Sequence, residues 1–203
     1  MGRFMVSRFI VNGFIITLYR DSGQVILDSM FAALGEEAGF CEWVGRLGRQ
    51  ATLAAPTGRG GWSGAVLIYL RASLMLEPSR KADFRATVES ARRQGAVVAL
   101  ELGDVAWIRA RGPQTAFELA EIHPDVLFAG EEAAAELGVP LEGIASVPVT
   151  RLAAGGCSVH GRRVLGPAAE LDPDALAATF CVALVEGEAP VEAAGRAVLV
   201  AAR

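Results

Sequence analysis

Residues 65–101 read AVLIYLRASLMLEPSRKADFRATVESARRQGAVVALE, and this stretch decides the fold. It opens with a strand-length apolar run, Ala65 to Leu70. A helix-period segment follows over 80–94, with Phe84, Val88 and Ala91 on one face. Ser79 is placed to cap its start and Gly95 to end it. Residues 96–101 are apolar again, from Ala96 to Leu100, and close on Glu101. Strands this continuously apolar have no face to offer to water, so both faces must be covered. Strand, helix and strand in that order imply a mostly parallel sheet lying between helices.

The same alternation continues outward. Downstream, the pattern predicts a helix at about 113–121, a strand at 125–129, a helix at 131–137 and a strand at 144–150. Residues 156–165 suggest a hairpin turning at His160-Gly161, and two helices follow at 172–186 and 189–202. Upstream, 8–18 is β-rich and 27–37 is read as a short helix. The expectation is one α/β domain over 1–203, with any ligand at the carboxyl ends of the strands.

Composition narrows the function classes. The chain has 203 residues, 52% of them hydrophobic, with a formal net charge of −4. Mean hydropathy is +0.37 and the pI about 5.3. That is enough apolar material for a sizeable core. No basic run stands out, so a nucleic-acid partner is not expected. The apolar surplus is read as a well-buried sheet, with a homo-oligomer contact as the alternative. Cys41, Cys157 and Cys181 are odd in number and contain no C-x-x-C, which argues against a disulfide framework or zinc site and fits a reducing cytoplasm. No apolar stretch reaches the ~18 residues of a membrane helix. Phe9 to Leu18 is read as a first buried strand rather than a signal peptide, since Asn12 and Gly13 interrupt it and no A-x-A site follows.

From residue 65 onward the chain resembles the second half of the pfkB/ribokinase family of carbohydrate kinases. The resemblance is carried by Leu76-Glu77-Pro78-Ser79, by Ala91-Arg92-Arg93-Gln94-Gly95 before a buried strand, and by Pro124-Asp125-Val126-Leu127-Phe128. Glu131 to Gly138 follows in the family's order. Val147-Pro148-Val149-Thr150 and Gly155-Gly156-Cys157-Ser158-Val159 are similar to its "vvTlGxxG" segment, and Phe180 to Gly187 to the helix after its catalytic loop. Residues 1–64 match only loosely, through Phe9 to Leu18, Ala33-Leu34-Gly35 and Trp43 to Gly48. The resemblance implies a ribokinase-like three-layer sandwich with the lid reduced or absent, a nucleotide side over 65–203, a sugar or nucleoside as ligand, and ATP with Mg²⁺ as cofactors if the chain is a kinase.

The family transfers the γ-phosphate of ATP to a sugar hydroxyl. A Gly-Ala-Gly-Asp turn opens a helix, its N–H groups hold phosphate charge, and its Asp takes the hydroxyl proton. Anchored on Phe180, that turn falls on Ala175 to Ala178: the glycines become Ala175 and Ala177, and the catalytic Asp becomes Ala178. Asp172 and Pro173 read as an N-cap and N1 pair. Asp174, one turn before Ala178, is the alternative base. The family's Asn-x-x-Glu falls on Gly130 to Ala133, which leaves Glu131 and Glu132 as the candidate ligands for a hydrated Mg²⁺. By family position alone, Thr150, Gly155, Ala175 and Ala177 would line the nucleotide.

Other constellations carry less. Thr57 to Gly64 is glycine-rich, but it precedes a strand and lacks the Gly-Lys-Ser/Thr ending of a phosphate loop. His123 and His160 stand apart, and Ser158 with His160 is too local for a triad. The sequence therefore points to a kinase-like protein without phosphotransferase activity that binds a small ligand or pairs with another subunit. The alternatives are an active sugar or nucleoside kinase with a rearranged site, and a purely structural or interaction module.

Overall fold

The computed structural model describes residues 15–19, 38–48, 52–54, 65–75, 78–167 and 170–202. Among the described residues eight strands form one sheet: β1 (Ile15–Tyr19), β2 (Thr52–Ala54), β3 (Ala65–Arg71), β4 (Val97–Glu101), β5 (Val126–Gly130), β6 (Val147–Arg151), β7 (Cys157–Val159) and β8 (Arg162–Val164). Their order is β2-β1-β3-β4-β5-β6-β7-β8. The central four, β3 to β6, are parallel. Both wings are antiparallel, because β1 pairs with β2 and β3, and β7 turns back on β6 and β8. The parallel part is thus the four strands read from their apolar runs, and the wings make the sheet mixed.

Among the described residues seven α-helices accompany it: α1 (Ala38–Arg46), α2 (Pro78–Arg93), α3 (Val105–Arg111), α4 (Gln114–Ile122), α5 (Glu131–Glu136), α6 (Pro173–Val185) and α7 (Pro190–Ala201). The strand period of two divides the core into two halves. Leu67, Tyr69, Ala99, Val126, Phe128 and Val149 pack with α1, α6 and α7. Ile68, Leu70, Val98, Leu100, Leu127 and Ala129 pack with α2, α3, α4 and α5. This is the three-layer α/β sandwich, and it explains why the central strands show no polar alternation.

α6 is apolar all round because it is buried all round: Ala175 through Ala183 are buried without interruption. Phe180 meets Phe128 edge-on at 5.5 Å, and Phe40 stacks on Tyr69 at 4.2 Å. Cys157 and Cys181 are free and buried, and burial pushes the Cys157 thiol up to about 11 and that of Cys181 higher still. Both are therefore thiols, inert as nucleophiles.

The predicted hairpin turns where expected, with His160 and Gly161 both at positive φ. The strand predicted at 144–150 forms as Val147–Arg151, because Leu141–Gly143 takes a 3₁₀ turn just before it. α3 was not anticipated; Asp104 caps it through a hydrogen bond from the Ala106 N–H at 2.9 Å, and Gly112 ends it. The predicted helix at 27–37, the Thr57–Gly64 loop and the residues of the 8–18 run before Ile15 lie outside the described residues. Among the described residues no helix is long and apolar enough to cross a membrane.

Candidate functional site

Three of the four parallel strands end in a charge: Arg71 on β3, Glu101 on β4 and Arg151 on β6. By strand alternation they share the face of Tyr69, Ala99 and Val149, which is the α6 side. Arg71 lies beside Glu101 in register, and Arg151 lies beyond β5, beside Gly130. Glu101 is only 6% exposed. Arg151 grips it with both guanidinium ends, Nη1 to Oε2 at 2.8 Å and Nη2 to Oε1 at 2.9 Å. The Tyr69 hydroxyl donates to Oε2 and the Gly103 N–H to Oε1, each at 3.3 Å. A buried carboxylate survives only when paired and hydrogen-bonded in this way. Burial, then the charges of Glu101 and Asp174, raise the Tyr69 pKa well above the phenol range, so the hydroxyl stays a donor. Burial opposes the charge on Arg151, but the Glu101 carboxylate outweighs it and the guanidinium pKa is raised.

The N-terminus of α6 faces this cluster. Asp172 is its N-cap, and Oδ1 accepts from the N–H groups of Asp174 at 2.9 Å and Ala175 at 3.0 Å. Its other oxygen, Oδ2, accepts from Trp43 Nε1 of α1 at 3.0 Å. Asp174 follows in the first turn. Burial pushes its carboxyl up to about 6; Arg71 pulls it back, Asp172 and Glu101 add to the rise, and Arg151 lowers it. α1 closes on this carboxyl so tightly that a Cβ on Gly39 would stand 2.2 Å from Asp174 Oδ2.

Beside the cluster lies a cleft of about 660 Å³, walled by Gly130, Glu131 and Glu132, by Arg151 to Ala153, and by Glu170, Leu171 and Pro173. Glu131 Oε2 accepts from the Ala153 N–H at 2.7 Å. Glu132 pairs with Arg109 at 3.2 Å, and Arg109 also holds Glu136 at 2.8 Å. Among the described residues no group of three or more His, Cys, Asp or Glu side chains is placed to hold a metal ion.

The helix-opening turn expected from the resemblance falls inside α6. Anchoring on Phe180 places that turn at Ala175 to Ala178, but α6 opens at Pro173 and is continuous helix there. The Leu176 N–H already bonds the Asp172 carbonyl at 3.0 Å. Asp174 stands in the first turn of this helix, while Ala175, Ala177 and Ala178 are sealed in the core. Of the other expected residues, Glu131 and Glu132 line the cleft, Thr150 pairs with Ser158 across β6 and β7, and Gly155 sits in the loop between those strands at φ 81°. Sequence reasoning missed Arg71, Glu101, Arg151 and Tyr69. The available signal was a charge terminating each of three apolar runs.

No family profile matches the chain, and no curated protein sequence does. Solved structures do. An adenosine kinase from Sinorhizobium meliloti is 19% identical, with a TM-score of 0.57 over 75% of this chain and 54% of that one. A PfkB protein from Polaromonas is 22% identical, with a TM-score of 0.53 over 68% of this chain and 53% of that one. An aminoimidazole riboside kinase from Salmonella enterica, solved with aminoimidazole riboside and an ATP analogue, is 13% identical, with a TM-score of 0.51 over 66% and 54%. The chain spans about half the length of these kinases. Its fold is the ribokinase-like α/β fold of these sugar and nucleoside kinases.

Proposed function

We propose that this chain keeps the frame of a carbohydrate- or nucleoside-kinase site and lacks its phosphate-transfer residues, so that it binds a small sugar- or nucleoside-like molecule without transferring phosphate. The observation that carries this reading is the turn before Asp174. Pro173 has no N–H to offer. The next two N–H groups, of Asp174 and Ala175, are taken by Asp172. Gly130 and Ala133 stand where the resemblance expects Asn and Glu. A polyphosphate does not fit this set: Glu131, Glu132 and Glu170 line the cleft, and its basic lining residue, Arg151, is held by Glu101.

The test is Mg·ATP turnover by purified protein over a panel of sugars and nucleosides, alongside thermal shifts with the same panel. The expected result is a shift with one class of ligand and no turnover. Sugar-dependent turnover that disappears in Asp174→Ala would overturn the reading.

One observation favours the second reading, an active kinase with a rearranged site. Asp174 stands in the first turn of α6 at the carboxyl ends of the strands, with its carboxyl pushed up to about 6. A carboxylate in that range is ionised at neutral pH and is a stronger proton acceptor than an ordinary one. On that reading Asp174 is the base, and ATP with Mg²⁺ would bind in the cleft. The free thiols of Cys157 and Cys181 suit a reducing cytoplasm on either reading.

A further inference from the structure

β8 ends the sheet, and among the described residues no strand pairs with its outer edge. The hairpin decides what that edge offers. His160 and Gly161 both have positive φ, which is the two-residue turn whose flanking pair exchanges both backbone bonds. That pair is Val159 with Arg162, so by the alternation of an antiparallel ladder Ser158 and Arg163 are not bonded to each other. The Arg163 N–H and C=O therefore point away from β7, into the open edge. Side chains alternate too. Arg162 and Val164 share the face of Val159 and Cys157, under α6 and α7, while Arg163 stands on the other face.

Charge and apolar surface meet at the same edge. Arg85, Arg109, Arg151 and Arg196 each hold a carboxylate. Arg162 and Arg163 are exposed, and among the described residues neither has a hydrogen-bond or ion-pair partner. Leu165, next after β8, is 67% exposed. Leu199 is 68% exposed and follows Val198, which packs against Gly166.

We propose that the β8 edge is a docking strand for an extended acidic segment of a partner protein. Laid antiparallel, the segment bonds the Arg163 backbone and reads, from its N-terminus, two apolar residues beside Leu165 and Val164, then two acidic ones beside Arg163 and Arg162. A second copy of β8 does not fit: across a two-fold axis Arg163 would face its own copy, and like charges directly opposite repel. The proposal is independent of whether the cleft transfers phosphate.

The experiment is fluorescence anisotropy of the whole chain with the labelled peptide Thr-Val-Val-Glu-Glu-Thr. Beside it are tested the same peptide with Lys for Glu, and one N-methylated at its first Glu, the amide that meets Arg163. The wild type is expected to bind the first peptide and the other two at least roughly tenfold more weakly. Arg162→Glu/Arg163→Glu changes only exposed side chains, and its fold is checked by circular dichroism. It should lose the acidic peptide and take the lysine one.

Equal binding of the three peptides would overturn the proposal, as would no binding at millimolar peptide. So would a folded double variant that keeps the acidic peptide. A wild-type dimer in sedimentation that the double variant dissociates would give the edge to a second copy instead. A single-stranded oligonucleotide that the wild type binds and the double variant loses would give the arginines to phosphate.

Discussion

On the face covered by α2 to α5, Arg85 with Glu121 and Arg109 with Glu132 and Glu136 pair at the surface, while Glu118, held by Lys81 and Arg111, is partly buried at the rim of the helices. The layer beneath them is plain apolar packing of Phe84, Val88, Ile108 and Leu119 on the strands. On the opposite face, α1 and α6 enclose an ion pair, Glu101 with Arg151, and the half-buried Asp174 beside it. Surface pairs compete with water and contribute little. Enclosed charges depend on every partner being present, since low polarity magnifies both the attraction and the cost of a missing group. Outside the Glu118 cluster the first face is tolerant scaffold, and the other is where single substitutions reset charge and packing together.

The sharpest way to break this contrast is Glu101→Ala. It strands the Arg151 guanidinium and the Tyr69 hydroxyl without their acceptor. A loss of about 3–5 kcal/mol in urea unfolding is expected. A loss below about 1 kcal/mol would put this pair in the surface class. Next in size is Gly39→Ala, whose methyl would press on the Asp174 carboxyl. It should cost about 1–3 kcal/mol, and a double-mutant cycle should show most of that cost gone once Asp174 is also alanine.

Asp174→Asn sharpens the contrast through pH. The folded pKa lies above the ordinary carboxylate value, so the group's stabilising contribution is present below the ordinary value and lost as pH rises through about 6. The asparagine variant should be more stable than wild type at neutral pH. One pKa unit corresponds to about 1.4 kcal/mol. With solvent screening of a partly open group the gain should be about 1–2 kcal/mol. The difference should shrink on acidification to about pH 4, measured as melting temperature against pH. The smallest effect belongs to the other face: Arg85→Ala should stay within about 0.5 kcal/mol in the same urea assay.

The sequence was legible where structure is local. β3 to β6 announced themselves as apolar runs because both their faces are covered, and α2 showed its start and stop residues. Asp172 and Pro173 were readable as a cap because the capping bonds span only two and three residues. The candidate site was not legible in the same way. Arg151 and Glu101 are 50 residues apart, and Trp43 and Asp172 are 129 apart. No periodicity connects such partners; only the sheet order brings them together. α6 is alanine-rich and buried on every side, so its start was legible from its cap and not from an amphipathic pattern.

Asp172 also bears on how this protein can change over generations. The side chain that covers the N–H groups of Asp174 and Ala175 is the same one that starts α6 and ties it to α1 through Trp43. Exchanging it for glycine gives up only a few tenths of a kcal/mol as a cap, but the bond to Trp43 is worth about another 1 kcal/mol. Selection for foldedness alone therefore retains the aspartate whether or not the cleft is used. Once such a residue is in place it acts as a ratchet: any exchange that uncovers those N–H groups loses stability immediately, whatever it brings elsewhere.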